Sequence, residues 1–371
     1  MTTDTAVLAA VAREPNGPFS LEHLTLAAPE ADEVLVRVAG VGVCHTDLVA
    51  RDQIIPVPLP AVLGHEGAGV VERVGRNVTA VQPGDRVVLS FLYCESCRPC
   101  SEHAYPYCDH FGVLNFSGRR SDGRTALRSE AGPVHSHFFG QSSFATFALA
   151  HRRNVVKVES ELPIELLGPL GCGVQTGAGA VLRSLDCQPG SSIAIFGAGA
   201  VGMSAVMAAK VRRCNPVIVI EPVAARRTLA LELGATHAVD PAEGDVGEAI
   251  RRIVRDGVRY SLDLSGVPSV IETAITSLAK RGVCALTGSP QKPGETFAIR
   301  SGLFVTMGAK VVGVMEGDSD PHEFIPELLA LQAAGSFPFE RMIRTYQLSE
   351  INEAVADHKS GKVVKPVLVM P

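Results

Sequence analysis

Four of the nine cysteines fall within "YCESCRPCSEHAYPYC", residues 93–108. Cys94, Cys97, Cys100 and Cys108 follow the spacing C-x2-C-x2-C-x7-C. Thiolates bind zinc tightly, and four of them close its tetrahedral shell with no open position. Iron–sulfur clusters also use compact cysteine runs, but usually with one distant cysteine or a proline after the last; here Asp109 follows. The spacing therefore predicts a structural zinc staple for a long loop. A site that is closed in this way cannot activate water or substrate, so a catalytic metal has to sit elsewhere.

Three other segments supply ligands for one. "GVGVCHTDLVARD" holds Cys44, His45, Thr46 and Asp47; "VLGHEGAGVVERVG" holds His65 and Glu66; "GPLGCGVQTGAGA" holds Cys172. Taken singly, each cysteine or histidine reads as a core residue. Together, Cys, His and a remote Cys are the three ligands of a zinc site whose fourth position stays open. Cys187, Cys214 and Cys284 have no such company and read as small hydrophobes in apolar segments.

A third chemistry lies in "SSIAIFGAGAVGMSAVMAAKV", which reads as a buried strand, a glycine turn and a helix. In the turn, Gly197 permits the tight bend, Gly199 lets the backbone approach a pyrophosphate, and Gly202 lets helix and strand pack closely. The pyrophosphate would rest on the helix N-terminus. A second strand, "PVIVIEP", ends in Glu221, where an acceptor for a ribose diol is expected. Its charge would repel a 2′-phosphate, so NAD is favoured over NADP, although Arg226 and Arg227 follow closely.

These residues need a scaffold, and the chain's rhythm suggests two. After residue 190, strand-like runs ("THAVD", "YSLDLSG", "GVCALTG", "KVVGVM") alternate with helix-like runs such as "VGEAIRRIVRDG" and "PSVIETAITSLAKRG". Such alternation predicts an open parallel sheet with helices on both faces. The first half is rich in Gly, Pro and Val, with short strand-like runs ("DEVLVRVAGVGV", "GAGVVERVG", "GDRVVLS"), and predicts a β-rich domain. The tail predicts two helices and a final strand, "KPVLVM", that returns to the first domain. With 371 residues, 46% of them apolar, the chain is long enough for two full cores. A net charge of −5 without a basic run gives no footprint for nucleic acid or an anionic membrane. No apolar stretch has the length of a membrane span, and the N-terminus has Asp4 in place of a basic n-region. A reducing, cytoplasmic setting is expected, where clustered cysteines are metal ligands more often than disulfides.

In this order, "GVCHTD", "GHEGAGVVERVG", "PGDRVVLS", the four-cysteine loop, "GCGVQTGAGAV", "FGAGAVG" and "GKVVKPVL" resemble the medium-chain zinc-dependent alcohol dehydrogenases over nearly the whole chain. "GCGVQTGAGAV" with "VVLSF" resembles the aryl-alcohol (benzyl-alcohol) branch more than the liver-type or glutathione-dependent formaldehyde branches. The resemblance implies an α/β protein: a GroES-like catalytic domain over residues 1–176, a Rossmann domain over 177–316, and a return to the first domain over 317–371. It implies two zinc ions per chain, with Cys44, His65 and Cys172 on the catalytic one and Glu66 behind it. Asp47 would orient His65, and Thr46 would receive the substrate proton. His45 and Lys365 would lie near the cofactor phosphates, Thr176 near the nicotinamide, and Arg226 beside Glu221. Ser90, where relatives carry a bulky ring, would widen a pocket walled by Phe144 and Met315.

The implied reaction is reversible oxidation of a primary, aryl or allylic alcohol to its aldehyde, with hydride passing to NAD, in a homo-oligomer (dimer or tetramer). Many relatives end the proton relay with a histidine, but here the neighbourhood reads Val49, Ala50, Arg51. Arg51 is the nearest polar group, yet an arginine stays charged and carries protons poorly. Two alternatives are glutathione-dependent formaldehyde oxidation and a non-catalytic binding role. The second lacks the zinc triad in the relatives that show it.

Overall fold

Parallel strands covered on both faces need side chains that are apolar on both sides, and such runs begin after residue 190. Ile193–Phe196 and Val217–Ile220 are buried at every position. The structure, a computed structural model, describes residues 3–288, 292 and 294–371. Among these, the two strands join His237–Val239, Val258–Asp263, Leu278–Leu286 and Lys310–Gly313 in a six-stranded sheet, every pair parallel. Numbered along the chain, the spatial order is 3-2-1-4-5-6. The order reverses at Ile193–Phe196, the switch point at which such sheets take a dinucleotide. Helices Ala200–Val211, Ala224–Leu233, Val246–Ile253 and Pro268–Thr276 connect the strands. Phe196, Ile218, Ile220, Ile250, Ile271 and Ile275 form the core beneath them.

This sheet belongs to the second of two compact units, Gly173–Ser319 with Ala334–Met342. The first unit comprises the chain up to Cys172 with Asp320–Ala333 and Ile343–Pro371. It is built on two mainly antiparallel sheets, five-stranded and seven-stranded. Glu33–Gly42 organises the larger one. Glu66–Val74 pairs along one edge; Phe147–His151 and Lys365–Val369 share the other. This sharing brings residues near both chain ends, Gly40 to Gly42 and Val367 to Val369, into one ladder. Among the described residues no helix is long and apolar enough to cross a membrane.

Two expectations from the sequence need correcting. "PSVIETAITSLAKRG" is not one helix: the helix stops at Thr276, and "LAKRG" opens the Leu278–Leu286 strand. Pairing of Leu278 with Val258 overrides the helical periodicity, and Arg281, at φ 61°, takes up the irregular register. Nor does all of 317–371 return to the first unit. Residues 334–342 join the second, because the Phe339–Met342 turn packs on the Ala200–Val211 helix and Arg341 pairs with Glu232 at 2.6 Å.

The long loop that carries the four cysteines is tied back at Glu33. Its carboxylate takes Arg120 through both oxygens, at 2.8 and 2.7 Å, and meets His137 Nε2 at 3.3 Å. Burial works against the charged form, but His137 and Arg120 prevail and hold the carboxyl down at about 2, against an ordinary 4.5. A depressed pKa stabilises the fold above the unfolded value and loses that contribution as pH falls through the folded one. Glu33→Gln is therefore expected to lower stability at neutral pH by about 3 kcal/mol, the worth of such a shift. The gap should close as pH drops from 4.5 towards 2. Urea unfolding of both proteins across that range measures it, and a gap independent of pH would contradict the assignment.

Candidate functional site

A carboxylate without solvent contact lies at the centre of the first unit's site. Asp47 sits in the first turn of the short helix His45–Arg51 and is 0% exposed. Its Oδ2 accepts the Cys44 backbone N–H at 2.9 Å. Its Oδ1 accepts the Gly64 N–H at 3.1 Å and faces His65 Nδ1 at 2.8 Å. Three donors offset the burial of the charge, and the same bonds lock the two segments that carry Cys44 and His65. With its Nδ1 proton directed at Asp47, the imidazole presents a lone pair at Nε2.

That Nε2 is buried and has no hydrogen-bond partner. A buried orphan of this kind calls for something to bind it. His65, Cys44, Cys172 and Glu66 each offer a ligand atom, and these atoms all lie within 4.8 Å of one another. A tetrahedral zinc sets neighbouring N, S and O ligands ~3.6 Å apart, so the donor set fits zinc. The Cys44 thiol is held well below its ordinary range, first by a hydrogen bond from Cys172 and, against burial, by the Lys365 charge.

Lys365 is placed differently from the sequence expectation. Its ammonium is buried, 2.9 and 2.8 Å from the two Glu66 oxygens and 3.3 Å from the Val43 carbonyl. Burial alone would push its pKa down; Glu66 offsets that and holds it above the ordinary value. Instead of reaching for phosphates, it balances a cluster of two thiols and a carboxylate. Arg51 is also engaged, with Nε 2.6 Å from Asp52 and its guanidinium over the Phe19 ring, and so offers no end to a proton relay. Thr46 Oγ1 lies 3.8 Å from Cys44 Sγ, and His45 is exposed beside it.

Two of the expected pocket walls are interior. Ser90 is fully buried and donates its hydroxyl to the Gly171 carbonyl at 2.7 Å. Phe144 is fully buried and meets Phe19 edge-on at 5.6 Å. Met315, in the second unit, is half-buried. The resemblance implied a place at the pocket for both, and a resemblance does not report depth. The sequence reading also missed Phe138 and Phe139, whose rings meet His65 at 5.6 and 4.4 Å. Nothing in "HFFGQSSF" sets these rings apart from ordinary core.

The four-cysteine loop forms a separate cluster. Cys94 and Cys100 sulfurs are 3.9 Å apart, as are those of Cys97 and Cys108. A disulfide would bring them to about 2 Å, whereas zinc with four thiolates sets them ~3.8 Å apart. Backbone N–H groups of Ser96 and Cys97 point at Cys94 Sγ, at 3.4 and 3.3 Å, and that of Asp109 at Cys97 Sγ, at 3.4 Å. Against burial, the donors from Ser96 and Cys97 hold the Cys94 thiol down at about 5, while burial pushes the thiols of Cys100 and Cys108 up.

In the second unit, Gly197 has φ 107°, open to glycine and strained for other residues. A Cβ on Gly202 would lie 2.0 Å from the Gly197 carbonyl oxygen, so only glycine fits. A Cβ on Gly199, which precedes the Ala200–Val211 helix, would meet nothing within 4 Å. Open space at the N-terminus of this helix suits an anion. Glu221 braces the turn: Oε2 accepts the Ala198 N–H at 2.7 Å and Oε1 the Val223 N–H at 2.9 Å. Arg227 is engaged by Asp240 at 2.7 Å and by two carbonyls, whereas Arg226 Nε is buried without a partner. Thr176 Oγ1 lies 3.5 Å from Glu316.

Two losses of metal follow from these geometries. Asp47→Ala should weaken metal binding at the Cys44 cluster by about 10- to 100-fold, because His65 loses its orienting partner. Cys100→Ser should remove the metal of the loop and lower the melting temperature while leaving the Cys44 cluster loaded. Competition with a chelator measures the first and metal analysis of the purified variant the second; an unchanged affinity in Asp47→Ala, or an unchanged metal content in Cys100→Ser, would contradict the assignment of that cluster.

Known proteins carry the same pattern. Residues 30–160 match the family model for the alcohol dehydrogenase GroES-like domain, and residues 200–333 that for zinc-binding dehydrogenases. Geraniol dehydrogenase of Castellaniella defragrans is 50% identical over 363 residues, 97% of each chain. A solved alcohol dehydrogenase zinc-binding domain protein from Burkholderia ambifaria is 52% identical over 100% of both chains, with a TM-score of 0.97. Benzyl alcohol dehydrogenase of Acinetobacter calcoaceticus is 44% identical, covering 99% of this chain and 100% of its own, with a TM-score of 0.96. With both models matched in chain order and half of the residues shared with a relative along almost its full length, the chain belongs to the zinc-dependent medium-chain alcohol dehydrogenases.

Proposed function

We propose that this alcohol dehydrogenase oxidises primary alcohols whose carbinol carbon adjoins an sp2 carbon, allylic or aryl, to the aldehyde, reversibly and with NAD. The carrying observation is the orphaned, Asp47-oriented Nε2 of His65 beside the sulfurs of Cys44 and Cys172. Lys365 engages both oxygens of Glu66, so the N and two S donors form the holding set. We assign one zinc ion to this cluster and one to the four-cysteine loop. A zinc held by three N/S ligands would supply the Lewis acidity that makes an alcohol hydroxyl a stronger acid, and a nicotinamide would supply the hydride acceptor.

The chain's own residues do the rest. Asp47 keeps His65 in one tautomer, and the Thr46 hydroxyl, two residues from Cys44, would accept the substrate proton at its oxygen while handing its own hydroxyl proton on towards water. The glycine turn at Gly197–Gly202 leaves room for a pyrophosphate, and Glu221 keeps lone pairs for a ribose diol while repelling a 2′-phosphate. Arg227, engaged by Asp240, is not placed to neutralise such a phosphate, which supports NAD. The substrate class rests on two relatives named for geraniol, an allylic alcohol, and benzyl alcohol, an aryl one.

The test is a panel of geraniol, benzyl alcohol, ethanol, and formaldehyde with glutathione, each with NAD and with NADP. Ethanol lacks about five carbons of benzyl alcohol; at about 0.8 kcal/mol per buried carbon it should fall behind by roughly 1,000-fold in kcat/KM. Equal efficiency on ethanol, or preference for formaldehyde with glutathione, would overturn the substrate class. Glu221→Ser should narrow the preference for NAD, and it should also weaken NAD binding because the turn loses its brace. A wild type that uses NADP as well as NAD would refute the cofactor assignment.

A further inference from the structure

Asp47 holds the His65 ring by one atom, and a ring held at Nδ1 alone can still tilt about that bond. What removes this freedom is a segment that the chemistry above does not use. Residues His137, Phe139 and Ser142 have φ of 63°, 53° and 55°. Non-glycine residues in this left-handed region cost on the order of 1 kcal/mol each and persist where the surroundings over-determine them. Three within six residues mean that the segment is held in shape against its own preference.

The contacts show what this shape achieves. The Phe139 ring lies nearly parallel to the His65 imidazole, with centroids 4.4 Å apart and planes at 25°. Phe138 meets the same imidazole edge-on at 5.6 Å and 87°. Gln141, buried, uses its amide on three backbone groups around the histidine and on the Ser143 hydroxyl. Nε2 donates to the His65 carbonyl at 2.9 Å and the Ser90 carbonyl at 3.1 Å; Oε1 accepts from Gly67 N–H at 3.1 Å and Ser143 Oγ at 2.6 Å. Ser142 Oγ donates to the Val62 carbonyl at 2.6 Å, and the Ser143 N–H to that of Gly64 at 2.8 Å. The two aromatic rings are backed by the four-cysteine loop. Phe111 and Phe116, in the short helix that follows Cys108, meet Phe139 edge-on at 6.1 and 5.4 Å.

We propose that Phe139 is a positioning residue for His65: stacked on the imidazole face by the strained 137–143 segment, it leaves Nε2 one direction, towards Cys44 and Cys172. The four-cysteine loop then has a mechanical role, since its aromatic helix supports the ring that supports the ligand. This inference rests on the reading of Cys44, His65 and Cys172 as a metal site.

The experiment compares wild type, Phe139→Leu, Phe139→Tyr and Cys44→Ser, each loaded with cobalt(II) in place of zinc. Two readouts are the ligand-field spectrum and the rate at which a chelator removes the metal. Phe139→Leu should release metal from the Cys44 cluster about 10-fold faster, with a changed spectrum, while the loop's metal leaves at the wild-type rate. Phe139→Tyr, which keeps an aromatic face, should restore both readouts. A Phe139→Leu protein with wild-type spectrum and release rate overturns the proposal. So does a Phe139→Tyr protein as impaired as Phe139→Leu, because the ring would then act through packing volume alone. Should Phe139→Leu not fold, Phe139→Met is read in the same way. If Cys44→Ser leaves metal content unchanged, the metal site itself is wrong and both readings fall; if it loses metal while Phe139→Leu is unaltered, this inference alone falls.

Discussion

The first unit's site depends on one buried carboxylate. Asp47 accepts hydrogen bonds from Cys44 and Gly64 and pairs with the Nδ1 of His65, so a single side chain sets the position of two segments. A charge with no exposure is tolerable only if it is fully bonded, and full bonding makes the geometry rigid. The orphaned Nε2 of His65 follows from this: Asp47 engages the other ring nitrogen, and the Phe139 ring stacked on the imidazole restrains its tilt. The cluster of sulfurs and carboxylate around it is then balanced from behind by Lys365. Removing any one of these groups leaves another buried and uncompensated, and the site is therefore expected to fail as a unit.

The second unit solves a different problem with backbone. Its strands are apolar on both faces, its sheet reverses order at Ile193–Phe196, and the turn after that strand carries glycine at 197 and 199, with open space where a Cβ of Gly199 would stand. Glu221 acts twice here. It braces the glycine turn through Ala198 and Val223, and it carries the charge that discriminates between cofactors in the proposed function. A substitution at this position therefore disturbs both roles, which is why binding and preference have to be measured together.

Much of this was legible in the sequence where residue type alone decides. Candidate thiol and imidazole ligands announce themselves by chemistry, and the structure brings the ligand atoms of Cys44, His65 and Cys172 within 4.8 Å of one another; Gly197 and Gly202 stand out by a conformation or an approach that other residues do not tolerate. The continuous apolar runs of the parallel strands were equally plain. What could not be read was depth and long-range pairing. Lys365 meets Glu66 across 299 positions, and no local pattern marks that ion pair. Ser90 and Phe144 are both fully buried, a depth that no local pattern reports. Phe139 owes its stacking to left-handed backbone at non-glycine residues, which composition does not betray. The strand beginning at Leu278 was hidden because its first residues continue a helical period until pairing with Val258 overrides it.

The account centres on a metal held by Cys44, His65 and Cys172, distinct from the metal in the four-cysteine loop. Anomalous diffraction from crystals of the protein as purified, recorded on both sides of the zinc absorption edge, tests this most directly. Two peaks per chain are predicted, one among Cys94, Cys97, Cys100 and Cys108, the other bonded to the Cys44 and Cys172 sulfurs and to Nε2 of His65. A peak in the loop alone, with the imidazole of His65 turned to some other partner, would contradict the account.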